Sequence, residues 1–135
     1  MIRQLDDKTL VSGQIAPHEV AGLAQQGVTM LVNNRPDGEE AGQPLAGEIE
    51  QAAAAAGISY RFVPIIRGIG PADVEEMQKA LRETGDGKLL AFCRSGTRSA
   101  LACALAHREE GASTEAVVQS LNQAGFDHSP IAHLL

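Results

Sequence analysis

The chain is 135 residues long, 44% apolar yet only 3% aromatic, with no tryptophan and a formal net charge of −6 at pH 7. Such a length suits one domain, here 1–135, whose interior must be filled by alanine, leucine, valine and isoleucine. The acidic balance argues against generic nucleic-acid binding, no apolar run is long enough to cross a membrane, and two cysteines without a secretory leader predict a reducing, cytoplasmic setting.

Residues 2–5 ("IRQL") and 9–14 ("TLVSGQ") are short strand-like runs that can pair across the Asp6-Asp7-Lys8 turn. Pro17 suits the first position of a helix carrying 18–26, and Gly27 stops it. "VTMLVNN" at 28–34 reads as a buried strand, and the polar "RPDGEEAGQP" after it as a loop. "EIEQAAAAAG" at 48–57 is a strong helix former ending on glycine. "ISYRFVPII" at 58–66 is the next strand. "RGIGPADVEEMQKALRET" is a loop followed by a helix, with Pro71 at its start and Asp73 in its first turn. "KLLAFC" is a strand, and the helix after it begins near Gly96 or Thr97 and runs to Arg108. "STEAVVQSLNQAG" is one more helix, before a short C-terminal turn from Ser129.

Alternating strands and helices predict an α/β domain with a central, largely parallel sheet flanked by helices. The loops 34–43, 65–71 and 93–98 then gather at one edge of the sheet, where ligands bind in such folds.

Chemistry is concentrated in "LLAFCRSGTRSALA" at 89–102, where an apolar strand breaks into Cys93-Arg94-Ser95-Gly96-Thr97-Arg98. At a strand-to-helix turn the first helical N–H groups have no helical acceptor, so with the helix dipole they attract negative charge. Gly96 permits the positive φ of a tight wrap and lets a ligand approach the backbone. Arg98 can add a planar fork to the far side of a bound anion. A thiolate is itself an anion, so the same field favours the ionised, nucleophilic form of Cys93. The plain alternative is a buried structural cysteine beside solvated arginines. Cys103, among Ala100, Ala102 and Ala104, reads as packing. The four histidines lack the spacing of a zinc site, and His107 near a helix end reads as a dipole partner; no metal or organic cofactor is expected.

"CRSGTRS" resembles the active loop of the rhodanese sulfurtransferases, whose cysteine carries a persulfide. "VSGQIAPHEVAGLAQQGVTMLVNNRPDGEEAGQP", "YRFVPI" and "FCRSGTRSALA", in that order, closely resemble the phosphatase-like domain family of beta-lactamase-hydrolase-like proteins, which is related to the protein tyrosine phosphatases and also labelled a sulfur transferase family. The resemblance covers essentially the whole chain and implies a protein tyrosine phosphatase-like α/β fold. Two positions depart from the phosphatase pattern. That signature puts arginine six residues after cysteine, where this chain has Ser99, with Arg98 one residue earlier; it also puts histidine just before the cysteine, where this chain has Phe92. A shorter loop suits one outer sulfur on Cys93 better than the three oxygens of a phosphate monoester. The leaving-group aspartate of small phosphatases commonly follows the strand equivalent to "YRFVPI", where "IRGIG" here offers Arg67 instead.

The expected reaction is sulfur transfer through a Cys93 persulfide, with Arg98 as the positioning cation and the 94–98 amides holding the outer sulfur. Arg94 and Arg67 would draw in a small anionic substrate such as thiosulfate or a persulfide, and Ser95, Thr97 and Ser99 would bond the sulfur or tie down the loop. The alternative is phosphate-ester hydrolysis through a phosphocysteine, with Asp37, Glu39 or Glu40 as the acid. A further alternative is a non-catalytic anion-binding or redox-sensing domain. Pro36-Asp37-Gly38 equally suits a plain turn, and Arg35 is a candidate substrate-binding residue or, instead, a partner for the carboxylates beside it. No nucleic-acid, membrane or named protein partner is expected.

Overall fold

Five strands order as β1 (Ile2–Gln4), β2 (Thr9–Ser12), β5 (Lys88–Phe92), β3 (Val28–Asn33) and β4 (Ser59–Phe62) across one sheet, in a computed structural model that describes residues 2–135. Only β1 is antiparallel, forming the expected hairpin with β2, in which Ile2 stands opposite Ser12; β2, β5, β3 and β4 pair in parallel. The phosphatase-like α/β architecture expected from the chain is the one observed.

The two faces of the sheet separate by residue parity, as the period of a strand demands. Leu89 and Ala91 join Val11, Met30 and Val32 in one core, beneath α3 (Pro71–Glu83), α4 (Thr97–Glu109) and α5 (Thr114–Gln123). Leu90 and Phe92 join Leu10 and Leu31 in the other, beneath α1 (Val20–Gln25) and α2 (Ala46–Ala55). β5 is the middle strand and is buried on both faces, which is why its sequence is continuously apolar rather than alternating. Leu89, Leu90 and Phe92 are fully buried, each stabilising the fold by about 1.5–3 kcal/mol relative to exposure. Along α4, Ala100, Ala102, Cys103, Ala104 and Ala106 are all buried, so the small side chains bring this helix close to the sheet and to α3.

Several elements have limits that differ from those expected, β2 among them, which ends at Ser12 and not at 14. The first helical turn, Pro17–Glu19, is 3-10 before α1 begins, while α2 starts at Ala46 instead of 48. β4 closes at Phe62, short of 66, although Val63 and Ile65 still donate to the carbonyls of Asn33 and Asn34 beyond it. Pro64 lies between these two donors on the edge strand, where an N–H would face away from β3 and proline is tolerated.

His107 does more than face a helix end. Its Nε2 lies 3.0 Å from Thr9 Oγ1 and 3.2 Å from Asp6 Oδ2, tying the β1–β2 hairpin to α4.

Candidate active site

The parallel register sets Ser12, Phe92 and Asn33 level at the C-terminal ends of three adjacent strands. The chain leaving β5 is therefore gripped from both sides. Cys93 N–H donates to Ser12 O (3.3 Å), Gln14 N–H to Arg94 O (3.3 Å) and Asn34 N–H to Phe92 O (2.8 Å). Gly13 is required for this approach, because a Cβ on it would stand 2.9 Å from Arg94 O.

Gly96 has φ +98°, the left-handed conformation, and α4 starts at the next residue. The turn brings Gly96 N–H to Cys93 Sγ at 3.1 Å. The amides of Arg94, Ser95, Thr97 and Arg98 have no protein acceptor among the described residues. The loop thus puts one N–H on the sulfur and leaves four more without a protein acceptor at a helix start, where the field favours negative charge. Cys93 itself has no solvent-exposed surface, as in the plain alternative of a buried cysteine. Arg94, Ser95 and Thr97 are exposed above it and Arg98 is half-buried.

Arg98 reaches across to the loop that follows β3. Its Nη1 and Nη2 donate to Glu39 Oε2 and Oε1, both at 2.7 Å, and Nη1 also donates to Ile65 O at 2.9 Å. This bidentate pair joins the three loops anticipated as neighbours. Glu39 holds the guanidinium further toward its charged form than usual, and the adjacent Cys93 sulfur adds to the effect. Conversely, the hydrogen bonds from Arg98 hold the Glu39 carboxyl below the usual carboxylate range, with burial opposing them and Arg35 adding a lesser lowering. The Nε of Arg98 has no partner among the described residues.

Arg35 is the residue whose part the sequence underplayed. It is only 3% exposed and acts as a strut, donating from Nε to Glu39 (3.1 Å), from Nη1 to Gln14 (3.0 Å) and from Nη2 to Glu40 (3.2 Å). It therefore meets substrate only through the loop it supports. Arg94 Nη2 pairs with Glu40 at 3.2 Å on the surface. Arg67 is exposed on the 65–71 loop.

Two candidates face away from the sulfur. Asp37 Oδ1 accepts from Ala46 N–H at 2.7 Å, so its carboxylate closes the start of α2. Ser99 is fully buried and donates from Oγ to Asn34 Oδ1 at 2.7 Å, while Asn34 Nδ2 bonds Val63 O at 2.9 Å. Its hydroxyl locks α4 to the strand ends. The pairing of Asn34 with Ser99 links two apolar-flanked segments 65 residues apart, a contact that no local pattern announces. Among the described residues no group of three or more His, Cys, Asp or Glu side chains is arranged to hold a metal ion, and no helix is long and apolar enough to cross a membrane.

Residues 1–126 match the model of the beta-lactamase hydrolase-like protein, phosphatase-like domain. The chain belongs to this family. Its relatives in the family include the beta-lactamase hydrolase-like proteins of Xylella fastidiosa (strain Temecula1), 39% identical over 93% of this chain, and of Agrobacterium fabrum, 31% identical over 92%. The chain spans about 30% of the length of these curated relatives. Among solved structures, a candidate phosphatase from Neisseria meningitidis superposes with a TM-score of 0.78 at 28% identity, over 98% of this chain and 94% of that one. Tk-PTP in its active form superposes with a TM-score of 0.70 at 18% identity, over 92% of this chain and 84% of that one, a likeness of fold. The beta-lactamase hydrolase-like domain thus carries a cysteine-containing phosphatase-type scaffold.

Proposed function

We propose that this domain is a cysteine-dependent sulfurtransferase that carries sulfur as a Cys93 persulfide. The observation that carries this reading is the engagement of every carboxylate on the loop beside Cys93. Asp37 is bound to the Ala46 amide, Glu40 to Arg35 and Arg94, and Glu39 to Arg98 and Arg35, which keep it ionised. Hydrolysis of a phosphate monoester benefits from a proton delivered to the leaving oxygen, and each of these carboxylates is already engaged by a backbone amide or an arginine.

Sulfur transfer from thiosulfate needs no such proton. The Cys93 thiolate attacks the outer sulfur, a new S–S bond forms, and the old S–S bond breaks with its electron pair leaving on sulfite. An acceptor thiolate then attacks the outer sulfur of the persulfide and regenerates the Cys93 thiolate, so charge balances without an external oxidant. The Gly96 amide polarises Sγ, the amides of 94, 95, 97 and 98, which have no protein acceptor, are the donors this reading assigns to the transferred sulfur, and Arg98 lies beside Cys93. Exposed Arg94 and Arg67 draw in the small anionic donor. Because Cys93 is shielded, the donor reaches it when the 94–97 loop or the Glu39–Arg98 pair shifts.

A second reading, phosphate-ester hydrolysis through a phosphocysteine, is favoured by the phosphatase-type scaffold and by the unpartnered Nε edge of Arg98, a side on which an oxyanion fits. Incubation with thiosulfate and intact-mass measurement separates the two. Gain of one sulfur atom on Cys93, discharged by cyanide and absent in Cys93→Ser, is the expected result. No mass gain, with aryl-phosphate hydrolysis lost in the same variant, replaces sulfur transfer by the phosphatase; reversible peroxide oxidation with neither activity leaves a sensing domain.

A further inference from the structure

Between the 65–71 loop and the C-terminal 3-10 turn Ser129–Leu134 lies a groove of about 310 Å³. Ile65, Ile69, Leu101, Ile131 and Leu134 form its walls, and Arg98 lines it at the side of the sulfur site. Its only polar side chains are Arg98 and His133. Three other cavities each carry carboxylates, from Asp6 in two of them and from Glu75 and Glu109 in the third. In a chain of net charge −6, this groove carries no carboxylate among its own walls and ends on Arg98, whose guanidinium an amphipathic anion would take over from Glu39. Its volume lies at the small end of ligand pockets, about 300–1,000 Å³, and suits a body the size of one ring.

We infer that this groove holds the apolar body of an organic sulfur anion whose charged sulfur end lies at Arg98. The inference rests on the sulfur-transfer reading and names the donor class: an organic thiosulfonate is preferred over inorganic thiosulfate. With such a donor the Cys93 thiolate attacks the terminal sulfur, the donor S–S bond breaks, and the electron pair leaves on the organic sulfinate. Burying the ring against Ile69, Leu101 and Ile131 supplies binding that thiosulfate lacks.

Binding is read first with probes that cannot donate sulfur. In an NMR titration of the whole chain, benzenesulfonate is expected to bind about tenfold tighter than methanesulfonate, from burial of the ring, with shifts centred on Ile69, Leu101 and Ile131. Leu134→Ser, at a half-exposed wall residue, is expected to reduce that ratio roughly threefold or more. Equal binding of the two sulfonates, or shifts centred elsewhere, overturns the groove whatever the chemistry of Cys93. Kinetics follow: a higher kcat/KM for benzenethiosulfonate than for thiosulfate supports the donor class, and equal values overturn it while leaving sulfur transfer standing. Failure of both donors to place sulfur on Cys93, with benzenesulfonate still bound in the groove, instead removes the sulfur-transfer reading and the donor assignment with it.

Discussion

Ser99→Ala tests whether this hydroxyl belongs to the sulfur chemistry or to the frame beneath it. Ser99 Oγ and Asn34 Oδ1 are 2.7 Å apart and neither residue is exposed. The substitution leaves the Asn34 carbonyl oxygen dry and unpartnered, at a cost of about 1–3 kcal/mol. For a chain of 135 residues, at about 2 cal/mol/K of unfolding entropy per residue, each kcal/mol moves the midpoint by about 3–4 °C. Thermal unfolding should therefore fall by roughly 4–10 °C, with the rate of sulfur labelling on Cys93 changed by less than about threefold. Asn34→Ala combined with Ser99→Ala should cost less than the two singly, because the second change removes a partner already lost. An unchanged midpoint with labelling slowed tenfold or more would refute the reasoning and return Ser99 to direct contact with substrate.

Gly13→Ala forces the backbone away from Arg94 O, so labelling of Cys93 should slow by about tenfold or more in stopped assays while the fold is retained by circular dichroism. Glu39→Gln tests the ion pair through pH. The folded carboxyl is held below its ordinary value by Arg98 first, so its stabilising contribution is complete above the unfolded carboxylate range, near pH 4.5, and is lost as pH falls through the lower folded value. In urea unfolding, wild type should exceed Glu39→Gln at pH 7 and converge with it in the acid limb; a constant difference down to pH 3 would be the contrary result. Cys103 is fully buried, and burial first, then Asp6 and Cys93, push its thiol up. Peptide mapping should find it unalkylated until the protein unfolds, with Cys103→Ala still accepting sulfur at Cys93. Alkylation of native Cys103 would contradict its burial.

The alternation of strand and helix was legible because each element carries its own signal. A continuous apolar run marked β5 as buried on both faces, Pro17 and Pro71 marked helix starts, and Gly96 marked the turn that carries the cysteine loop. The grouping of the 34–43, 65–71 and 93–98 loops followed from parallel topology, and Arg98 contacts both other loops. The start of α2 is held by Asp37, nine residues before Ala46, and by Glu48, which accepts from Leu45 N–H at 2.9 Å; with leucine instead of Ser, Thr, Asp or Asn at the cap, no residue there announced it. The bond to Ala46 explains why Asp37 looked available for acid chemistry: an aspartate in a polar turn reads alike whether it faces a ligand or a distant amide.

Local chemistry along the chain sufficed to locate a cysteine at a strand-to-helix turn, because apolar period, glycine conformation and unpaired helix amides are all properties of a few consecutive residues. Which charges face that sulfur was decided only on folding. Arg35, Glu39, Ser99 and Asn34 acquire their parts from contacts between loops and strand ends separated by up to 65 residues. Hydrogen bonds of that kind depend on the order of strands and the register between them, and the burial that silences Cys103 and shields Cys93 depends on helices from elsewhere in the chain.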